Sequence, residues 1–141
     1  MAIQHHPDSI FHGCHTEEVS SSPLERYEFD IHTHTIASGH GSAATITDMA
    51  KAAAAKNLKM LGISDHGPAT LGGGRASYFR NLAYAQKERL GIRMLYGAEA
   101  NIIDHRGHLD LDDRVLGHLD FVIASMHLSL IHISEPTRPI S

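Results

Sequence analysis

Six residues of this 141-residue chain carry side chains suited to a divalent cation and recur at regular steps: His32, His34, His40, His66, Glu99 and His127. His32 and His34 stand two apart, so on a strand they present two imidazoles from one face to one ion. His40 follows in the glycine-containing stretch ASGHGS, within reach of a neighbouring ion. Glu99 is the natural bridge, because one carboxylate can give an oxygen to each of two cations. His66 and His127 complete a shell drawn from four strands. Asp30 and Asp65, each close to a proposed ligand, suit an outer role in which a carboxylate accepts the free ring N–H of a ligating histidine and fixes its tautomer. Arg75, just after Gly72-Gly73-Gly74, is a candidate phosphate contact through its guanidinium. The glycine run follows no strand directly and lacks the lysine of a P-loop, so it argues little for a nucleotide.

These residues need elements that bring them together. Tyr27, Phe29 and Ile31 alternate with Glu28, Asp30, His32 and His34, the period of a strand whose polar set all points one way. Thr45-Ile46-Thr47-Asp48 has the form of a capping box, and the alanine-rich MAKAAAAK after it predicts a helix from about Ile46 to Lys56, ending at Asn57. The apolar run from Met60 to Ile63 reads as a buried strand with His66 just past its end. Phe79, Leu82, Ala83 and Leu90 recur at near-helical spacing, with Gly91 as the expected stop. A third strand, IRMLYGAEA, a polar excursion, a short helix around residues 112–117 and a fourth strand, LDFVIASMH, complete an alternation that favours parallel α/β architecture. From His32 to His66 is about 34 residues, from His66 to Glu99 about 33 and from Glu99 to His127 about 28, each near one βα unit of a barrel. In such a barrel the carboxyl ends of successive strands converge on one mouth, so the spacing proposes a polynuclear histidine and carboxylate site there.

Composition narrows the alternatives. With 12 basic against 16 acidic side chains, the cationic excess usual for nucleic-acid or anionic-membrane partners is missing. A single cysteine excludes an internal disulfide and a four-thiolate zinc site, and it makes the cytoplasm the expected compartment. No apolar run approaches the roughly 20 residues of a membrane span. Residues 1–25, with His5, His6, His12 and His15, read as an irregular leader, while His105, His108 and His118 read as surface groups and Met49, Met60 and Met94 as core fillers.

FDIHTHTIASGH, GISDHGP, GAEANI and IASMH together resemble the first four metal-binding motifs of the PHP superfamily, the polymerase and histidinol phosphatase metallohydrolases, most closely its stand-alone bacterial phosphatase branch. The resemblance covers roughly residues 27–127. It implies a distorted seven-stranded (β/α) barrel with three divalent ions, zinc, manganese or iron, that hydrolyses phosphate esters. By position, His32 and His34 would bind the first ion and Glu99 would bridge it to the second. His127 would join Glu99 on that second ion, and His40 with His66 would hold the third.

The family pattern continues with another histidine after a further βα unit and a DxH pair near the end of the barrel, and this chain stops before either. It is therefore expected to form an N-terminal half of about four βα units over residues 26–127. Residues 128–138, LSLIHISEPTR, resemble a translated sequencing adapter, so 128–141 is expected to be non-native. The function expected of the intact parent is metal-dependent hydrolysis of a phosphorylated small molecule, in which the ions clamp the phosphate and acidify the attacking water. Histidinol-phosphate hydrolysis or exonuclease trimming are the alternatives within the superfamily. A reading from another class is a poorly folded, non-catalytic fragment that retains some metal binding.

Overall fold

The computed structural model describes residues 27–40 and 42–126. The expected leader 1–25, His127 and the tail 128–141 lie outside the described residues. Four parallel strands form a sheet in the order β1 (Phe29–Thr33), β2 (Met60–Ile63), β4 (Ile92–Asn101) and β5 (Phe121–Ser125). Helices α1 (Ile46–Ala55), α2 (Ala76–Leu82) and α3 (Asp113–Leu116) provide the crossovers between them. This is half of a (β/α) barrel, the α/β architecture that the spacing predicts.

Helix α1 begins where the sequence says it should. The Thr45 hydroxyl accepts the Asp48 N–H while the Asp48 carboxylate accepts the Thr45 N–H, a reciprocal capping box. At its other end Asn57 adopts φ 59°, and the N–H groups of Asn57 and Leu58 reach the carbonyls of Ala54 and Ala53, a Schellman closure. Ala50 and Ala53 face the sheet, and their small side chains let the helix lie close to it. With Phe79 and Leu82 of α2 and Val115 of α3 they bury Leu61, Ile63, Met94, Tyr96 and Ala98 in one core. Each large apolar side chain sealed there contributes about 1.5–3 kcal/mol relative to exposure.

Two expectations are corrected. Helix α2 stops at Leu82 rather than running to Leu90. The following segment is drawn onto the edge of β4 instead, with Met94 N–H donating to the Lys87 carbonyl and the Tyr96 hydroxyl to that of Gln86. Glu88–Arg89 forms the short strand β3, antiparallel to β4. Leu90 and Gly91, at φ 52° and 75°, make the two-residue turn between them, so Gly91 closes a hairpin and does not end a helix.

The second correction concerns β1. Asp30 pairs with Leu61 and Thr33 with Ile63, so three steps along β1 match two along β2. Ile31 and His32 together oppose Gly62, which is a β-bulge, and a bulge inverts the alternation of faces beyond it. Asp30 and Thr33 therefore share the helix-facing side with Leu61 and Ile63, while His32 and His34 turn to the opposite, inner side. The polar set does not all point one way.

Candidate metal centre

The inner face of the sheet is shaped by the strand that follows each ligand. On β4, Met94, Tyr96 and Ala98 belong to the core, so the alternate residues Gly97 and Glu99 face inward. The Phe121 ring packs over Gly97 and reaches Gly62, where any side chain would collide with the backbone of Ile31. These two glycines thus leave room for one aromatic ring beneath the site. Glu99 lies next to Ile123 of β5 and forms a parallel bridge with His66, just beyond β2. The carboxyl ends of β1, β2 and β4 consequently deliver their polar residues to one place.

Three imidazoles surround one carboxylate oxygen there. Glu99 Oε2 lies 3.1 Å from His32 Nε2, 3.2 Å from His34 Nε2 and 3.2 Å from His66 Nδ1. The His34 and His66 rings stack at 4.5 Å between centroids, and the His40 ring lies 4.5 Å from that of His66. His32, His34 and Glu99 offer ligand atoms all within 4.8 Å of one another. Burial is graded: Glu99 and His66 are buried, His34 is half-buried, and His32 and His40 open to solvent. Burial lowers the His34 pKa below its ordinary value, with the Glu99 charge opposing the shift and His32 and His40 adding to it. Nitrogen and carboxylate donors without thiolate form a donor set that suits zinc, manganese or iron, so these residues could hold a metal ion.

Asp65 is fully buried behind the histidines, and its hydrogen bonds run to a threonine, a serine and a tyrosine. Its carboxylate accepts from Thr35 N–H at 2.6 Å, Thr35 Oγ1 at 2.8 Å, Ser38 Oγ at 2.7 Å and the Tyr78 hydroxyl at 2.5 Å. Burial, then the bond to Asp65, pushes the Tyr78 phenol well above its ordinary pKa, so it remains a donor. Ser38 Oγ in turn lies 2.9 Å from His34 Nδ1. The contact between aspartate and histidine is thus made through a serine. Asp30 is the clearer departure from expectation. Its carboxylate accepts the backbone N–H of His32, not an imidazole N–H, because the bulge puts it on the other face of β1. It lines a surface depression with Lys56, Asn57 and Leu58, away from the cluster.

Arg75 is exposed at the N-cap of α2, and no described residue pairs with its guanidinium. The glycines before it serve packing. Gly39 and Gly72, at φ 75° and 78°, abut each other, so the loop after β1 rests on the loop after β2. Gly74 N–H donates to the His66 carbonyl, which ties that loop to the site. His105, His108 and His118 are exposed, as expected of surface groups.

Sequence reasoning missed Ser38, Thr35, Tyr78 and Asp110. Asp110 accepts from Asn101 N–H at 2.8 Å, Asn101 Nδ2 at 2.7 Å and Ala69 N–H at 2.9 Å, fastening the loop beyond His66 to the end of β4. Ser38 follows His34 by four residues across a 3₁₀ turn over Ile36–Ser38, a local spacing that offers a clue. Tyr78 and Asp110 carry no comparable signal, since their partners are distant in sequence.

A parallel α/β half barrel with a histidine and glutamate cluster at the carboxyl ends of its strands defines the class: a barrel protein whose strand ends gather a group that could hold a metal ion. The model of the PHP domain family matches residues 30–139, and the chain belongs to that family. The match extends across most of the segment 128–141. Among curated relatives, a protein of Acetivibrio thermocellus named probable phosphatase is 47% identical over 102 residues, which cover 72% of this chain and 42% of the relative. Another probable phosphatase, from Caldanaerobacter subterraneus, is 46% identical over 110 residues, or 78% of this chain and 43% of the relative. A third, from Clostridium novyi, is 41% identical over 102 residues, 72% of this chain and 41% of the relative. The chain thus spans less than half the length of these relatives. Among the described residues no helix is long and apolar enough to cross a membrane.

Proposed function

We propose that these strands supply the first metal-binding part of a phosphoesterase of the PHP superfamily, acting on a phosphorylated small molecule. The observation that carries the proposal is the convergence of His32, His34 and His66 on a single oxygen of Glu99 within 3.2 Å. Family membership and relatives named probable phosphatases support the reaction class.

In this proposal His32, His34 and Glu99 hold one ion, His40 and His66 contribute to a neighbouring one, and His127 adds to the ion shared with Glu99. Three ions of zinc, manganese or iron are proposed for the whole protein. When bound, such ions supply Lewis acidity toward a phosphoryl oxygen and acidify water to a pKa near 7. The chain's own residues position and screen. Glu99 and His66 form the buried floor, while His32 and His40 border the open side, the proposed entrance for an ester. Arg75, on the loop leading from His66, is a candidate for the phosphate oxygens. The deficit of basic side chains favours a small ester over a polynucleotide.

Activity is proposed for a protein of the relatives' full length, and the 141-residue chain alone is expected to bind ions with negligible turnover. Hydrolysis of p-nitrophenyl phosphate by the full-length Acetivibrio thermocellus relative is the test, with its aligned counterpart of Glu99 changed to glutamine. Chelator-sensitive hydrolysis that the substitution abolishes is the expected result. Chelator-insensitive turnover, or none with zinc, manganese or iron, contradicts the proposal.

A further inference from the structure

The regular pairing of β2 with β4 ends at Ile63 and Tyr96, and the bridge that sets His66 beside Glu99 lies past it. Two backbone bonds hold that bridge. The Glu99 N–H donates to the Asp65 carbonyl at 2.9 Å, and the Gly67 N–H donates to the Glu99 carbonyl at 2.9 Å. From the β1 side the His66 N–H donates to Ser38 Oγ at 3.2 Å. Beyond Gly67 the chain leaves the sheet, so the loop after β2 needs some other tie to stay against β4.

Asp110 supplies one from far along the sequence. The excursion after β4 folds back on itself, with Ile102 bridged to Leu109 and the Asp110 N–H donating to the Asn101 carbonyl at 3.0 Å. This returns the Asp110 carboxylate to the end of β4. Oδ1 accepts the Asn101 N–H at 2.8 Å, while Oδ2 accepts Asn101 Nδ2 at 2.7 Å and the Ala69 N–H at 2.9 Å. Thr70 Oγ1 adds a bond to Oδ1 of the buried Asn101 at 3.2 Å. Gly67 makes the approach possible. Its φ is not left-handed, so what it supplies is space, and a Cβ there would collide with both Asp110 oxygens.

We infer that Asp110 is a positioning residue, whose carboxylate clamps the loop after β2 onto the end of β4 and so holds His66 and Glu99 in register. Its anchors flank the pair: Ala69 follows His66 by three residues and Asn101 follows Glu99 by two. The clamp needs a carboxylate, because each oxygen faces an N–H. An amide of the same size would set its NH₂ against a donor whichever way it turned. The inference rests on the proposed metal role only for the purpose of the arrangement, since the clamp is built from the chain's own atoms.

Amide hydrogen exchange of the full chain without metal, followed residue by residue by NMR, tests the clamp, with zinc titration beside it. Asp110→Asn is the variant, and Met94, whose N–H bonds the Lys87 carbonyl, is the reference. Exchange at Gly67 should quicken about tenfold or more in the variant, although the Gly67 N–H bonds Glu99, while Met94 changes little. Zinc affinity should fall about tenfold. Gly67→Ala should reproduce both effects by displacing the carboxylate, and in an Asp110→Ala background the added methyl should have no further effect. Equal quickening at Gly67 and Met94 would mark a merely structural carboxylate and overturn the inference. So would unchanged Gly67 exchange in a folded Asp110→Asn chain, or unchanged affinity where the wild type binds zinc. A wild-type Ala69 amide that exchanges as fast as an unbonded one overturns it without any variant, and Gly67→Ala decides it should Asp110→Asn fail to fold. The expected exchange pattern in a chain that binds no zinc upholds the clamp and refutes the proposed function, so the two fail separately.

Discussion

On the helix side of β4, Met94, Tyr96 and Ala98 are sealed beneath α1 and α2, whereas on the other side of the same strand Gly97 and Glu99 face a shallow, partly open site. The helix side is apolar and interlocked, and its residues are exchangeable in chemistry as long as volume is kept. The inner side is built from glycine, one phenyl ring and a knot of hydrogen-bonded polar groups. Its residues are fixed by valence, because each donor has one acceptor to satisfy. The difference shows that stability and chemistry divide here by side-chain parity along a strand, and that the bulge in β1 assigns His32 and His34 to the chemical side.

The division can be broken from either side. Phe79→Ala, a truncation at a fully buried core position, should cost about 3–5 kcal/mol by urea unfolding. The folded fraction should still bind zinc with wild-type affinity, and a large loss of affinity would show that the faces are not independent. Gly62→Val should act on both, since its Cβ would lie 2.7 Å from the Ile31 backbone and push β1 off β2. Overpacking of this kind costs about 1–3 kcal/mol, and zinc affinity should fall with it. Tyr78→Phe removes one of four donors from the buried Asp65 carboxylate, and a loss of about 1.5–3 kcal/mol in the unfolding free energy is expected.

The smallest effect belongs to neither face. Lys87 donates to Asp120 at 2.7 Å. Burial raises the Asp120 pKa, but the bonds from Lys87 and the Tyr96 N–H outweigh it and hold the carboxyl below its ordinary 3.8. A depressed folded-state pKa stabilises above the unfolded value and fades as pH falls through the folded one. Lys87→Ala should therefore cost under about 1 kcal/mol at neutral pH, and the gap should narrow on acidification below that ordinary value. A gap that widens with acid would reverse the assignment.

Much of this was legible in local sequence. The Thr45 capping box and the strand from Met60 to Ile63 depend on neighbours a few residues apart, and the recurrence of histidine and glutamate shows in regular steps of about one βα unit. The bulge was hidden because it exists only in the register of β1 against β2, some thirty residues away. Leu90 reads as helical because an apolar residue at that spacing looks like a buried face, and nothing in its chemistry announces the left-handed turn it makes with Gly91. Ser38 was missed for a simpler reason: a serine has no preference strong enough to signal a role until its three partners are seen around it.

If the inner face binds a cation, it does so through the groups around Glu99. Calorimetric titration of the metal-depleted chain with zinc tests it most directly, comparing wild type with Glu99→Gln. Binding by the wild type, a loss of at least about tenfold in the variant and an unchanged urea midpoint are expected. Absence of binding by a folded wild type, or equal affinity in Glu99→Gln, would contradict it.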